Sequence, residues 1–160
     1  MSDQRDGDGG GLRPAVALSF AVIGFGTLVI FAFGMTSLAL DQDVLSVPGL
    51  GYAPGVVAVL SSLAAFAVSL WGTIRRGQPS YASTVIVALA SALAYVVGLW
   101  LTALITGSPL AIATAATGSF VTSWFFLVLV LAAAIAAWGG IALVRTRSSR
   151  PRWPWEDEDE

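Results

Sequence analysis

The sequence contains no cysteine, no histidine and no lysine. The first absence removes disulfides, thiol catalysis and thiolate metal sites. The second removes the commonest metal ligand and the usual general base, and the third removes any serine–lysine pair. Charge is also scarce, at 11% of residues against 56% hydrophobic ones, and the mean hydropathy is +0.80. Charged residues are missing from Leu12 to Leu40 apart from Arg13, from Val44 to Ile74, and from Gly77 to Val144. Soluble domains do not carry such intervals, so the chain belongs in lipid.

What is present divides into four apolar stretches. A helix needs about 20 apolar residues to cross the roughly 30 Å hydrocarbon layer, and residues 15–40, 55–73, 81–105 and 119–144 qualify. The breaks between them carry turn chemistry: "DQDVLSVPGLGYAPG", "RRGQP" and "TGSPLAIATAATG" are rich in proline, glycine or charge. Residues 107–118 read equally as loop, interfacial segment or helix extension. The opening "MSDQRDGDGGGLRP" is acidic and glycine-rich, unlike the basic start of a secretory signal, so the first apolar stretch is expected to stay as a span. Three regions follow: a disordered cytoplasmic segment over 1–13, a transmembrane domain over 14–144, and a cytoplasmic basic, aromatic and acidic tail over 145–160.

Orientation comes from the arginines, because positive charge near span ends stays cytoplasmic. Arg5 and Arg13 precede the first span, Arg75 and Arg76 separate the second and third, and Arg145, Arg147, Arg150 and Arg152 follow the fourth. All fall on one side, whereas the opposite loops carry only Asp41 and Asp43 as charges. The predicted fold is therefore an all-α integral membrane bundle of four transmembrane helices, up-down-up-down, with both termini cytoplasmic. Tryptophan favours the headgroup level, and Trp71 and Trp138 fall near the inner span ends while Trp100 and Trp124 fall near the outer ones. These four, with Arg13, Arg75, Arg76, Arg145 and Arg147, are the expected topology and interface anchors.

An ionisable residue within a span marks a proton relay, an ion path or a counter-ion, and none of the four spans contains one. Four-span multidrug exporters depend on a membrane-embedded carboxylate, so likeness to them ends at the span count. Haem ligation and intramembrane proteolysis likewise need groups that are missing. Asp41 and Asp43 fall short of the six to eight oxygens that calcium takes. The reading is non-enzymatic, without cofactor, metal or nucleic-acid partner.

The spans do carry packing signals. Ala58, Ser62, Ala65, Ser69 and Gly72 form a stripe of small residues on the second span, and Thr84, Ala88, Ser91, Tyr95, Gly98 and Thr102 form one on the third. Small stripes let backbones approach where lipid supplies no hydrophobic drive. The turn between these spans is short, so they are expected to be neighbours with their stripes facing. Tyr95 should then turn inward, with Ser61 or Ser62 at a comparable depth for its hydroxyl. Ala17, Ala21 and Gly24 on the first span and Ala132, Ala136 and Gly139 on the fourth read as further contact faces. Such spacing serves packing inside the bundle and association between chains alike.

The chain ends in "RPRWPWEDEDE". Arg145 and Arg147 act as a stop signal able to reach lipid phosphates. Trp153 and Trp155 flank Pro154, which keeps the backbone extended. Arg152, Trp153 and Trp155 thus form either an interfacial anchor or a docking peptide for a cytoplasmic partner. With its four spans, arginine-only basic residues and this tail, the chain resembles small uncharacterised four-span membrane proteins of high-GC actinobacteria. The resemblance implies membrane location and carries no activity, substrate or functional residue with it. The expected role is an accessory or scaffold component acting through helix contacts in the bilayer, with the lipid bilayer and a larger membrane complex or self-association as partners. The rival is a small oligomeric transporter or channel for a neutral or apolar solute; a lipid-binding protein would need a cavity.

Overall fold

The computed structural model of the chain describes residues 14–44, 51–75 and 82–146. Among them are five α-helices and no strand: α1 (Pro14–Leu40), α2 (Ala53–Arg75), α3 (Ser83–Ile105), α4 (Leu110–Val121) and α5 (Trp124–Thr146). In lipid no water satisfies exposed N–H and C=O groups, so apolar stretches of this length close their backbone bonds internally as helix. Four of the five are long and apolar enough to cross a membrane. At 12 residues, α4 reaches only about 18 Å at 1.5 Å per residue.

The helix ends are set by local chemistry. At the end of α1, Asp41 takes a left-handed φ of 51°, and the Gln42 N–H reaches back to the Ser37 carbonyl at 3.2 Å. Aspartate tolerates this conformation better than most residues. At the end of α3 the same role falls to Gly107, with φ of 88°. Its N–H donates to Leu104 O at 3.0 Å, and the Ser108 N–H donates to Ala103 O at 3.0 Å. These paired bonds form a Schellman end, and Pro109 next in sequence stops any continuation. Pro54 sits in the first turn of α2, where its missing N–H costs nothing.

One boundary departs from the sequence expectation. A single fourth span was expected over 119–144, but Ser119 lies in α4 and the crossing helix begins at Trp124. The break falls at Thr122 and Ser123. Thr122 Oγ1 donates to Gly118 O at 3.1 Å, and Ser123 Oγ donates to Phe120 O at 2.6 Å. These hydroxyls satisfy the last carbonyls of α4 and compete with helix propagation. The segment left open over 107–118 is mostly this separate short helix.

Aromatic and small side chains share the interior. Phe25 of α1 stacks on Phe66 of α2 with centroids 4.5 Å apart. Towards the other end of α1, Phe33 meets Phe125, Tyr95 and Phe120 edge-on at 5.7, 6.1 and 6.3 Å. Ala113, Ala116 and Phe120 form the buried face of α4. This spacing of three and four holds the short helix against the bundle. Ala132, Ala133, Ala136 and Ala137 are buried along α5. The most extensive helix pair is α2 with α3, followed by α1 with α5.

Candidate functional site

A cavity of about 640 Å³ opens where α1 ends and α2 begins. Phe33 closes it from α1, Val56 and Val59 from α2, and Tyr95 from the middle of α3. Gly51 and Gly55 line it without side chains, and Asp43, Val44 and Tyr52 border its opening. Asp43 and Tyr52 are exposed, whereas Tyr95 is only 1% exposed. The Tyr95 ring is clamped between stacked Phe120 at 4.4 Å and the edge of Phe33. The expected bond from its hydroxyl to Ser61 or Ser62 does not form. Ser61 Oγ instead donates across to Ala94 O of α3 at 3.1 Å and to Val57 and Ala58 carbonyls on its own helix. Ser62 Oγ is buried without a partner among the described residues, as is Thr84 Oγ1. Among the described residues, the chemistry available at the cavity is the phenolic hydroxyl of Tyr95 at depth, and the phenol of Tyr52 and the carboxylate of Asp43 at the rim. Among the described residues no group of three or more histidines, cysteines or acids could hold a metal ion.

The two stripes of small residues enter the bundle unevenly. On α2, Ala58 and Ser62 are buried while Ala65, Ser69 and Gly72 are half-buried; on α3, Ala88, Ser91, Tyr95 and Gly98 are buried while Thr84 and Thr102 are half-buried. The structure brings Ala58 and Gly98 together: a Cβ added at Gly98 would meet Ala58 Cα at 3.4 Å and Ser61 Cβ at 3.1 Å. At Gly72 the same test finds nothing within 4 Å. Ser69 and Ser91 spend their hydroxyls on their own helices, at 2.6 Å to Ala65 O and 2.7 Å to Val87 O. The bond between α2 and α3 therefore comes from Ser61, outside the predicted stripe.

Between α1 and α5 the close approach is made by Gly140, where a Cβ would lie 2.9 Å from Ala21 Cβ and 3.2 Å from Leu70 Cδ2. Gly139, the residue singled out from sequence, faces open space, as does Gly24. The two lie in a groove of about 390 Å³ with Ala21, Ala136 and Gly140, edged by Phe20, Leu28 and Leu143. Its lining is apolar throughout. The signal for Gly140 was the doublet "GG" itself, since two adjacent glycines offer two faces about 100° apart on a helix.

Among the described anchors, Trp71, Trp100, Trp124, Arg75 and Arg145 lie within five residues of a helix end, whereas Trp138 lies eight residues before the end of α5. Trp71 is half-buried with the Arg75 guanidinium 5.4 Å from its ring centroid, a cation–π arrangement. Trp100 is half-buried and its Nε1 reaches Thr114 Oγ1 of α4 at 3.4 Å. Trp124 begins α5 and is 64% exposed, and Trp138 is 57% exposed. Arg145 lies in the last turn of α5. Arg13, Arg76, Arg147, Arg152, Trp153 and Trp155 lie outside the described residues.

The aromatic wall of the cavity escaped sequence reasoning. Phe33 and Tyr95, which line it, are 62 positions apart, and no periodicity within one helix links them. The chain matches no curated protein and no solved structure. Its four crossing-length helices fit a multi-pass membrane protein, and through a match over residues 10–160 the chain belongs to the family of unknown function DUF6121.

Proposed function

We propose that the chain is a non-enzymatic, multi-pass protein of the cell membrane that works by helix–helix contact, as an accessory or scaffold component. Its crossing helices run up-down-up-down with both termini in the cytoplasm. The order of contacts supports this course: along α1, Phe25 meets Phe66 and Gly26 lies against Leu63, while Ala21 lies near Gly140 and Phe33 near Phe125. Ascending positions on α1 thus pair with descending ones on α2 and α5. The orientation rests on the arginines, all at one set of span ends. An actinobacterial source is supported by the arginine-only basic residues and the terminal "RPRWPWEDE".

The observation that carries the role is the groove between α1 and α5. Apolar surface alone gives no drive for association in lipid, whereas a floor of small residues permits the close backbone contact that does. Gly24 and Gly139 are not used by the chain's own packing, because nothing lies within 4 Å of a Cβ at either. The groove therefore suits an apolar transmembrane helix of another chain. The transporter reading draws on the cavity above Tyr95, but beyond it the Phe25–Phe66 stack, Leu70, Leu129 and Ile141 are buried and fill the interior.

The test uses a photoreactive benzoylphenylalanine in place of Leu143 in native membranes. The expected result is one protein adduct of defined mass, a multiple of 16.6 kDa if the partner is a second copy. Gly139→Leu, whose Cβ meets nothing within 4 Å, should abolish that adduct and leave the fold intact. Lipid adducts alone, or an adduct indifferent to Gly139→Leu, would count against the role.

A further inference from the structure

We propose that the cavity ending at Tyr95 binds an uncharged, mainly apolar molecule that carries one hydroxyl or carbonyl oxygen, with that oxygen bonded to the Tyr95 hydroxyl. The inference goes beyond the helix-contact role and does not depend on it, because the groove lies between α1 and α5 and the cavity is lined by other residues of α1 together with α2 and α3.

Three observations converge. The volume, about 640 Å³, falls in the range of roughly 300–1,000 Å³ usual for small-molecule sites. The walls are the hydrocarbon and aromatic faces of Phe33, Val44, Val56 and Val59, while Gly51 and Gly55 leave room that larger side chains would fill. At the inner end stands Tyr95, 1% exposed, with no hydrogen bond to any described residue. The atoms wholly buried without a partner among the described residues are Ser62 Oγ and Thr84 Oγ1; the Tyr95 hydroxyl is not one of them and keeps its accessible surface toward the cavity it lines, where a ligand oxygen can meet it.

Tyr95 does not escape by rotating, because Phe120 stacks on one face and the edge of Phe33 abuts it. The hydroxyl is held in place by packing that has nothing to do with hydrogen bonding. Such support is what a binding group needs if it is to meet a ligand without reorganising. Ligand charge follows from the surroundings. Among the described residues no cation lines the cavity, and the one charged residue in its lining is Asp43 at the rim. An anionic head would lose its hydration with no cation among the described lining residues to compensate it. An alcohol or ketone oxygen needs only the one bond that Tyr95 offers.

The experiment uses the full chain in lipid nanodiscs with 3-fluorotyrosine at Tyr52, Tyr81 and Tyr95, read by fluorine NMR. The probe is farnesol, with the hydrocarbon farnesene and the carboxylate farnesoate as comparison arms. Farnesol is expected to shift the Tyr52 and Tyr95 signals saturably and to bind more tightly than either comparison. In Tyr95→Phe, with Tyr52 as reporter, farnesol should weaken about threefold to tenfold, one hydrogen bond's worth, and bind no better than farnesene. Val59→Trp should block all three probes. Val56→Trp, at a more exposed wall position, repeats the block if Val59→Trp disturbs folding. A shift that rises linearly without saturation, equal affinity in Tyr95→Phe, or unaltered binding in both tryptophan variants would overturn the proposal.

Discussion

Replacing Gly98 with alanine tests how α2 and α3 are held together. The new Cβ would fall 3.1 Å from Ser61 Cβ and 3.4 Å from the Ala58 Cα. It would also collide with Ser61 Oγ, which now bonds Ala94 O at 3.1 Å. One neighbour is backbone, so α2 must move or Ser61 must rotate away. Overpacking of this kind costs about 1–3 kcal/mol, and an interhelical hydroxyl bond in a membrane adds about 0.6 kcal/mol on average. Set against these is the better helix propensity of alanine, up to about 1 kcal/mol. The net expectation is a destabilisation of about 1–2.5 kcal/mol. Gly72→Ala on the facing helix has nothing within 4 Å and keeps only the propensity gain, so it should be neutral or stabilising. The assay is reversible unfolding in mixed micelles, following helix content against SDS fraction. Adding Ser61→Ala to Gly98→Ala should recover part of the loss, since it removes the colliding oxygen and leaves the 3.1 Å Cβ contact. Equal stabilities for Gly98→Ala and Gly72→Ala would refute the close approach of the two helices.

Other outcomes follow from the same packing. Phe120→Ala removes a ring that touches Tyr95, Phe33 and Phe126. It should cost about 2–3 kcal/mol in the same assay, below the 3–5 kcal/mol of soluble cores because lipid withholds the transfer contribution; proteolysis should then cut near α4 first. Gly107→Ala places a Cβ on a left-handed residue and should cost about 1–2 kcal/mol, with Gly107→Asn milder. Deleting Trp153 to Glu160 should leave insertion and topology unchanged in a membrane-fractionation assay. Loss of a co-purifying partner after that cut would assign docking to the tail.

The helix boundaries were legible where proline, glycine or charge interrupts an apolar run, as at Asp41, Pro54 and Gly107. The start of α5 was not, because Thr122 and Ser123 end α4 with hydroxyl bonds inside a stretch whose hydropathy never falls far. Rotational phase was harder still. In a soluble helix the polar face marks the outside, but lipid-facing residues are as apolar as buried ones: Leu93 is 64% exposed and Leu99 wholly buried on the same helix. Small residues therefore marked the helices that pack without separating Ser61 from Ser62 or Gly139 from Gly140. The cavity was illegible for a different reason. Phe33, Val59 and Tyr95 come from three helices, and only their assembly leaves space between them.

The most direct test of the four-crossing arrangement uses the absence of cysteine. Single cysteines at Gln42, Ser108, Gln78 and Ser149 are each exposed to a membrane-impermeant maleimide in intact cells and again after lysis. With both termini cytoplasmic and α4 not crossing, Gln42→Cys and Ser108→Cys should label in intact cells, and Gln78→Cys and Ser149→Cys only after lysis. Labelling of Ser149→Cys in intact cells, or protection of Ser108→Cys until lysis, would contradict the arrangement.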